Sequence, residues 1–269
     1  MKYPELTFSG QHLDLPGVIA ALESAGCVLI QGLFPRPALE ALARWAVSAF
    51  ICFDDMLSTD TLPPELSSYF ALVPHMINHL PSVCFDRFGG DSEWLWKLFL
   101  ASSLPELLNS LYQGSFLYSS LHAVIRRQSP AQPRWWTGFH QDGHFLNPEW
   151  NLLHGWGPLV PCGSEAPGLE VIPAGLKHIW PRAHVPPRSA HYYDNRDLDY
   201  ERDILPAFNP EQFWSEELMP GDLFLYDRFC LHRTLTRPDM HATRYNLEMR
   251  FLPAVELPAA IARLGFRQV

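Results

Sequence analysis

The sequence lacks the signals that mark several large classes of protein. No stretch of 18 or more apolar residues occurs in the chain, and the N-terminal MKYPELTFSG has no apolar segment of the secretory kind. Basic residues are few, since 20 lysines and arginines face 29 aspartates and glutamates, for a net charge of −9. We therefore expect a soluble cytoplasmic protein with a small-molecule partner and with neither a membrane nor a nucleic-acid partner. The sequence gives no expectation for the oligomeric state.

Cysteine is also scarce, and no two cysteines form a CxxC pair. The five cysteines are scattered along the chain, at Cys27, Cys52, Cys84, Cys162 and Cys230. Their spacing excludes a zinc ribbon and indicates reduced thiols, as in a cytoplasmic compartment.

Apolar and aromatic residues, by contrast, are plentiful, at 47% and 13% of 269 residues. This composition predicts a folded chain, which we take as a single domain over 1–269. Residues 1–114 predict a mixed α/β elaboration, with helices over Pro16–Ser24 and Arg36–Phe50 and a buried strand over 26–32 between them.

From about residue 115 onward, short β-type runs separated by turn residues dominate. We predict strands over 115–126, 150–159, 168–172, 222–227 and 243–252. Together with 25 prolines, this pattern favours a mainly β fold with flanking helices, namely a double-stranded β-helix (jelly roll, cupin-like barrel) whose core spans 115–255. The segment 182–207 has no strand pattern and is too long for an ordinary connection, so we predict a lid-like insert there.

The segment HQDGH places two imidazoles and a carboxylate within five positions. His140 and Asp142 are two residues apart, so an extended backbone directs them to the same side. His232 follows the predicted strand 222–227 and would complete a set of two histidines and one carboxylate, which is the ligand set of a non-haem Fe(II) site. Strand 244–251 alternates polar and apolar residues, and its polar face is either exposed or turned into a barrel lumen.

Ordered motifs extend this pattern over most of the chain, and they resemble the phytanoyl-CoA dioxygenase family of Fe(II)- and 2-oxoglutarate-dependent oxygenases. The opening GCVLIQGLF followed by a helix looks like the family's first strand and helix. The matching later segments are Phe139–Asp142 (FHQD), 168–178 (GLEVIPAGLKH), Gly221–Phe224 (GDLF), His232–Thr234 (HRT) and Arg244. The 168–178 segment departs from the family pattern, because its glycine is displaced and its serine is absent.

The resemblance implies a role for each matching residue. The iron ligands would be His140, Asp142 and His232. Arg244 would pair with the distal carboxylate of the cosubstrate, Thr234 would donate to the same group, and Gln141 and Trp156 would lie beside the cosubstrate. The expected substrate pocket consists of His144, Phe145, Trp136, Arg228 and Tyr192.

The implied reaction is oxidation of an unidentified small molecule by O2, with 2-oxoglutarate converted to succinate and CO2. Related halogenases carry a small residue at the carboxylate position, whereas this chain has Asp142 there. The sequence therefore favours a hydroxylase, with desaturation or ring formation as other two-electron oxidations, over a halogenase.

Other interpretations stay open at this point. His144 could join His140 and Asp142 as a third local ligand, giving a cupin-like metal-dependent isomerase or hydrolase. A jelly-roll binding protein without catalysis is the alternative from another class. His75 and His79 have the i, i+4 spacing of a helical metal site, although a packed or surface helix is the simpler explanation. Arg250, on the same strand face as Arg244, is the alternative cosubstrate arginine.

Overall fold

The computed structural model describes residues 2–62, 64, 78–119, 122–144, 146, 148–183, 196–254 and 266–269. No helix within these ranges is long and apolar enough to cross a membrane.

Four α-helices lie in the N-terminal part of the described chain, at α1 Leu15–Ala25, α2 Arg36–Ser58, α3 Trp94–Leu100 and α4 Leu104–Tyr112. The Asp14 side chain accepts from the Gly17 N–H and caps the start of α1, while Gly26 ends it in the left-handed conformation. Short 3₁₀ turns cover Pro4–Leu6, Ser82–Phe88, Pro133–Trp135, Asp142–His144 and Pro210–Gln212, and a π-helix covers Tyr200–Ile204.

The described residues also contain eleven β-strands. They are β1 Thr7–Ser9, β2 Cys27–Gln31, β3 His79–Pro81, β4 Phe116–Ser119, β5 Val124–Gln128, β6 Leu153–Pro158, β7 Gly168–Ile172, β8 Leu223–Asp227, β9 Leu231–Leu235, β10 Arg244–Pro253 and β11 Phe266–Gln268. Nine of them form one large sheet in the order β1-β2-β8-β6-β10-β4-β11, with β5 pairing both β10 and β3. The small second sheet pairs β7 with β9.

Strand β10 is the centre of the large sheet, and its register decides which side chains meet. It runs antiparallel to β6 and β5, placing Arg244 opposite Gln128 and Glu248 opposite Trp156. The polar face of β10 is buried, so the alternating pattern lines the interior rather than solvent. On the opposite face of β5, Arg127 makes a bidentate pair with Asp54 of α2 at 2.6 and 2.8 Å, which leaves Gln128 directed inward.

Most predicted elements are confirmed. Both predicted helices form, and α2 continues eight residues beyond the predicted end at Phe50. The single strand expected over 115–126 is instead two strands, β4 and β5, which both pair with β10. The mainly β architecture with flanking helices is thus as expected, and a large sheet accompanied by a small second sheet is consistent with the predicted jelly roll.

The predicted insert 182–207 is described only in part, because 184–195 lies outside the described residues. The described segments on either side of 184–195 are tied to the HQDGH region by hydrogen bonds from backbone N–H groups. The Trp180 N–H donates to the Gln141 side chain, the Gly138 N–H donates to Asp197, and the Leu198 N–H donates to the Phe139 carbonyl at 2.7 Å. Both flanks are therefore held beside the predicted metal ligands.

Candidate metal centre

The structure brings together the three residues predicted to bind iron. His140 and His232 exchange backbone hydrogen bonds of 3.0 and 3.1 Å, which extend the small sheet by one bridge, and Asp142 follows in a 3₁₀ turn. One potential ligand atom from each residue lies within 4.8 Å of the others, and all three residues are buried. In the described part of the chain this is the only such group of three metal-binding side chains.

The two histidines present the correct nitrogen to the centre. The Nδ1 atom of His140 lies 2.8 Å from the Gly138 carbonyl, and that of His232 lies 3.0 Å from the Cys230 carbonyl. A carbonyl only accepts, so each Nδ1 carries the proton and each Nε2 keeps its lone pair. The Nε2 atoms lie 3.5 and 3.9 Å from the Oδ1 atom of Asp142, an arrangement that fits a divalent transition metal.

A fourth residue, His154 of β6, orients the carboxylate. Its Nδ1 lies 2.9 Å from the Oδ2 atom of Asp142, which leaves Oδ1 for a metal. Tyr226 packs against both His154 and His232, with ring centroids 5.4 and 4.6 Å away. The sequence argument did not identify His154, although it is two residues before Trp156 in a predicted strand and so shares its face.

Electrostatics keep Asp142 and His232 in their metal-binding protonation states. Burial opposes ionisation of Asp142, but His154, His140 and His232 hold the pKa of its carboxyl well below the usual range. Burial, with the neighbouring His140, lowers the pKa of His232 to about 3. At neutral pH the carboxylate is therefore ionised and His232 is neutral.

The low pKa of His232 predicts that the metal-free protein loses stability in weak acid. An unfolded chain protonates His232 near pH 6.5, whereas the folded chain does not until about pH 3. The unfolded state therefore binds more protons in this window, and stability falls as pH falls, by about 2 to 3 kcal/mol at pH 4.5 from this residue. Chemical denaturation at several pH values gives the free energy of unfolding at each pH, and its slope against pH tests the prediction.

The matched variants for this prediction are His232→Gln and His241→Gln. His241 is largely exposed on the surface, 3.9 Å from Glu165, so its replacement is the control for removing a histidine outside the buried triad. The His232 variant should show a clearly shallower slope. Equal slopes for wild type and His232→Gln would contradict the assignment.

Among the described residues, Arg244 is a buried cation without an anionic partner. It is 1% exposed, its Nη1 donates to the Gly168 carbonyl at 2.8 Å, and its Nη2 donates to the Gln128 side chain. Its Nε has no hydrogen-bond partner, and among the described residues no carboxylate lies within ion-pair distance. Burial, then Arg126, lowers the pKa of Arg244 to about 9, so the guanidinium stays charged at neutral pH. An unpaired buried charge of this kind fits an anionic ligand.

Two further predicted cosubstrate residues adjoin Arg244. The Trp156 ring lies 5.2 Å from the guanidinium carbon, in cation–π contact. Thr234 on β9 donates its hydroxyl to the Gln128 side-chain oxygen at 3.0 Å and lies 2.9 Å from the Thr137 hydroxyl. Three of the predicted residues, Arg244, Thr234 and Trp156, thus share one corner of the interior.

The rest of the inward face of β10 carries an ionic cluster. Arg126 lies 3.5 Å and Arg250 lies 4.0 Å from Glu248, and all three side chains are nearly buried. Burial opposes ionisation of Glu248, but Arg126, His79 and Arg250 lower its pKa to about 2. Unlike Arg244, the alternative arginine Arg250 therefore already has a carboxylate nearby.

The remaining predicted pocket residues have varied surroundings. Gln141 donates to the Phe229 and His178 carbonyls at 2.6 and 3.0 Å, which braces the segment before the insert; its place beside the cosubstrate stays a prediction. Arg228 is tied to the Pro148 carbonyl and to Asn151. The other two described members are Trp136, which is partly buried, and His144, which is exposed, while Phe145 and Tyr192 lie outside the described residues.

Two alternative metal sites lose their geometric basis. His144 ends the 3₁₀ turn Asp142–His144 and is not part of the three-residue group. The helix expected for His75 and His79 is wrong at His79, which begins the buried strand β3, and His75 lies outside the described residues.

The chain is similar to known proteins in sequence and in fold. No family model matches the chain. The 1-deoxypentalenic acid 11-beta-hydroxylase of Streptomyces arenae is 28% identical over 239 residues, which cover 85% of this chain and 78% of that protein. The crystal structure of EvdO2 from Micromonospora carbonacea var. aurantiaca complexed with 2-oxoglutarate is 15% identical with a TM-score of 0.54, covering 88% of this chain and 89% of EvdO2.

The non-heme alpha ketoglutarate dependent epimerase SnoN from nogalamycin biosynthesis is 12% identical with a TM-score of 0.51, covering 89% of this chain and 81% of SnoN. The chain is therefore similar in sequence to a hydroxylase and in fold to proteins that bind or depend on 2-oxoglutarate, and it carries a buried His-Asp-His group that could hold a metal. These similarities agree with the class of enzyme that the sequence motifs resemble.

Proposed function

We propose that the protein is a hydroxylase in which His140, Asp142 and His232 bind Fe(II) and Arg244 binds the distal carboxylate of 2-oxoglutarate. The observation that carries this proposal is the pairing of two features in one interior. A buried triad offers two imidazole nitrogens and a carboxylate oxygen, and a buried arginine lacks an anion among the described residues. An iron cation and a dicarboxylate would meet both needs.

Each residue has a separate task in this scheme. Bound iron and 2-oxoglutarate supply the oxidising chemistry, in which O2 delivers one oxygen atom to the substrate and one to succinate as CO2 leaves. The triad offers a metal three protein ligands and leaves the other coordination positions free. His154 holds the Asp142 carboxylate in one orientation, and Trp156 covers one face of the Arg244 guanidinium.

We further propose that the substrate is a small carboxylic acid. The Streptomyces arenae relative is named for its action on 1-deoxypentalenic acid. Arg182 and Arg196 adjoin Trp180 and Asp197, whose hydrogen bonds to Gln141 and Gly138 hold these segments beside the metal ligands. Cationic side chains beside the metal ligands would hold an anionic substrate in place.

The experiment is an aerobic incubation with Fe(II), 2-oxoglutarate and 1-deoxypentalenic acid under ¹⁸O2. We expect succinate to form only with iron present, with one ¹⁸O atom in succinate and one in a hydroxylated product. The methyl ester of the same acid should stimulate succinate formation less. Succinate formation that is independent of iron would contradict the proposed function, and equal stimulation by acid and ester would contradict the proposed substrate class.

A further inference from the structure

Gln128 lies at the point where the cosubstrate carboxylate is expected. It is the last residue of β5, it stands opposite Arg244 in the register, and it is 1% exposed. Its Oε1 atom accepts from the Arg244 guanidinium and from the Thr234 hydroxyl, the second at 3.0 Å. These two donors are the groups assigned to the distal carboxylate of 2-oxoglutarate, so an amide oxygen now occupies a carboxylate oxygen's place.

The orientation of this amide is fixed by its neighbours. A guanidinium only donates, so the atom facing Arg244 is the oxygen. The Nε2 atom donates to the Trp135 carbonyl at 2.9 Å, which is consistent with that assignment. Gln128 therefore directs its negative end toward Arg244.

The number of available protons means that a carboxylate bound here would compete with Gln128 for the same donor. Thr234 has one hydroxyl proton, and it donates this proton in a hydrogen bond to the Gln128 oxygen. The Thr137 hydroxyl, 2.9 Å away, then donates to Thr234 rather than accepting from it. Thr234 can therefore donate to a carboxylate only after its hydrogen bond to Gln128 breaks. The Nε of Arg244, by contrast, has no hydrogen-bond partner and needs no such release.

We propose that Gln128 is an internal stand-in for the distal carboxylate of the cosubstrate, a proposal that rests on the proposed function. In the free enzyme it holds Arg244 and Thr234 in their binding positions, and it gives up both donors when 2-oxoglutarate binds. A neutral amide suits this task, because a carboxylate forms stronger charge-assisted hydrogen bonds and displaces it. Gln128 is thus a positioning residue that sets the affinity for the cosubstrate.

Two substitutions distinguish a residue that 2-oxoglutarate displaces from a residue that contacts bound 2-oxoglutarate. Gln128→Met keeps the length of the side chain and removes the acceptor, so 2-oxoglutarate should bind roughly 3- to 10-fold more tightly. Gln128→Glu keeps the shape and adds a charge that pairs permanently with Arg244, so binding should weaken about 100-fold. Gln132→Glu, four residues further along and exposed, adds the same charge at the surface and should change nothing.

The measurement is the dissociation constant of 2-oxoglutarate from the anaerobic Fe(II)-loaded protein, obtained by calorimetry for wild type and each variant. Thermal unfolding gives a second readout, because saturating 2-oxoglutarate should raise the melting temperature of Gln128→Met more than that of wild type.

Weaker binding by a folded, iron-loaded Gln128→Met protein would overturn the proposal, since Gln128 would then be a lasting part of the pocket. If Gln128→Met does not fold, unchanged affinity in the isosteric Gln128→Glu would overturn it. Wild-type protein that fails to bind 2-oxoglutarate at all would be a different result, because it would remove the proposed function itself.

Discussion

Replacing His232 with alanine should abolish iron-dependent turnover, lowering the rate of succinate formation by about 1,000-fold or more. His232 supplies one of only two imidazole nitrogens in the described triad, and it arrives from β9 rather than from the HQDGH segment. Without it the two local ligands, His140 and Asp142, hold a metal weakly. The measurement is succinate release at saturating 2-oxoglutarate, together with Fe(II) content after desalting.

The control for this prediction is His241→Ala, which removes an exposed histidine and should retain full activity. Circular dichroism of both variants separates loss of the ligand from loss of the fold. A His232→Ala protein that is folded and still forms succinate at the wild-type rate would exclude the triad as the metal site.

Replacing Arg244 with methionine should raise the KM for 2-oxoglutarate by about 100- to 1,000-fold, because a buried charged hydrogen-bond partner of the ligand is lost. The same change should not destabilise the ligand-free protein by a comparable amount. Arg244 has no carboxylate partner among the described residues, so removing its charge also removes an unpaired buried cation. Cosubstrate affinity should therefore fall while the free energy of unfolding stays level or rises.

Arg250→Met is the matched comparison, since Arg250 projects from the same face of β10 but lies 4.0 Å from Glu248. Steady-state kinetics at varied 2-oxoglutarate should show little change in KM for this variant. A larger loss of cosubstrate affinity in Arg250→Met than in Arg244→Met would indicate that Arg250, six residues further along the strand, binds the carboxylate.

The sequence was most informative where spacing and chemistry coincide. The spacing of His140 and Asp142 correctly predicted that the two side chains meet, although Asp142 begins a 3₁₀ turn and does not continue an extended backbone. The strict alternation of β10 correctly placed Arg244 on an inward face. Motif order along the chain supplied the link to His232, which periodicity alone could not provide. The β9 strand itself was missed, because LHRTL is short and three of its five residues are polar.

Other features depend on pairing between distant strands, which no local pattern encodes. Gln128 reaches Arg244 only because β5 and β10 pair in one register, and a shift of one residue would turn it toward Asp54 and α2. His154 reaches Asp142 from β6 in the same way. The break of 115–126 into β4 and β5 was missed because its polar and apolar residues suit one longer strand as well as two.

The most direct test of the account is anaerobic addition of Fe(II) and then 2-oxoglutarate to metal-free protein, followed by visible absorption spectroscopy. The account predicts a charge-transfer band from the chelated keto acid in wild type, and a band in Arg244→Met that appears only at much higher 2-oxoglutarate concentration. The absence of any band from folded wild-type protein that has bound iron would contradict the assignment as a 2-oxoglutarate-dependent oxygenase.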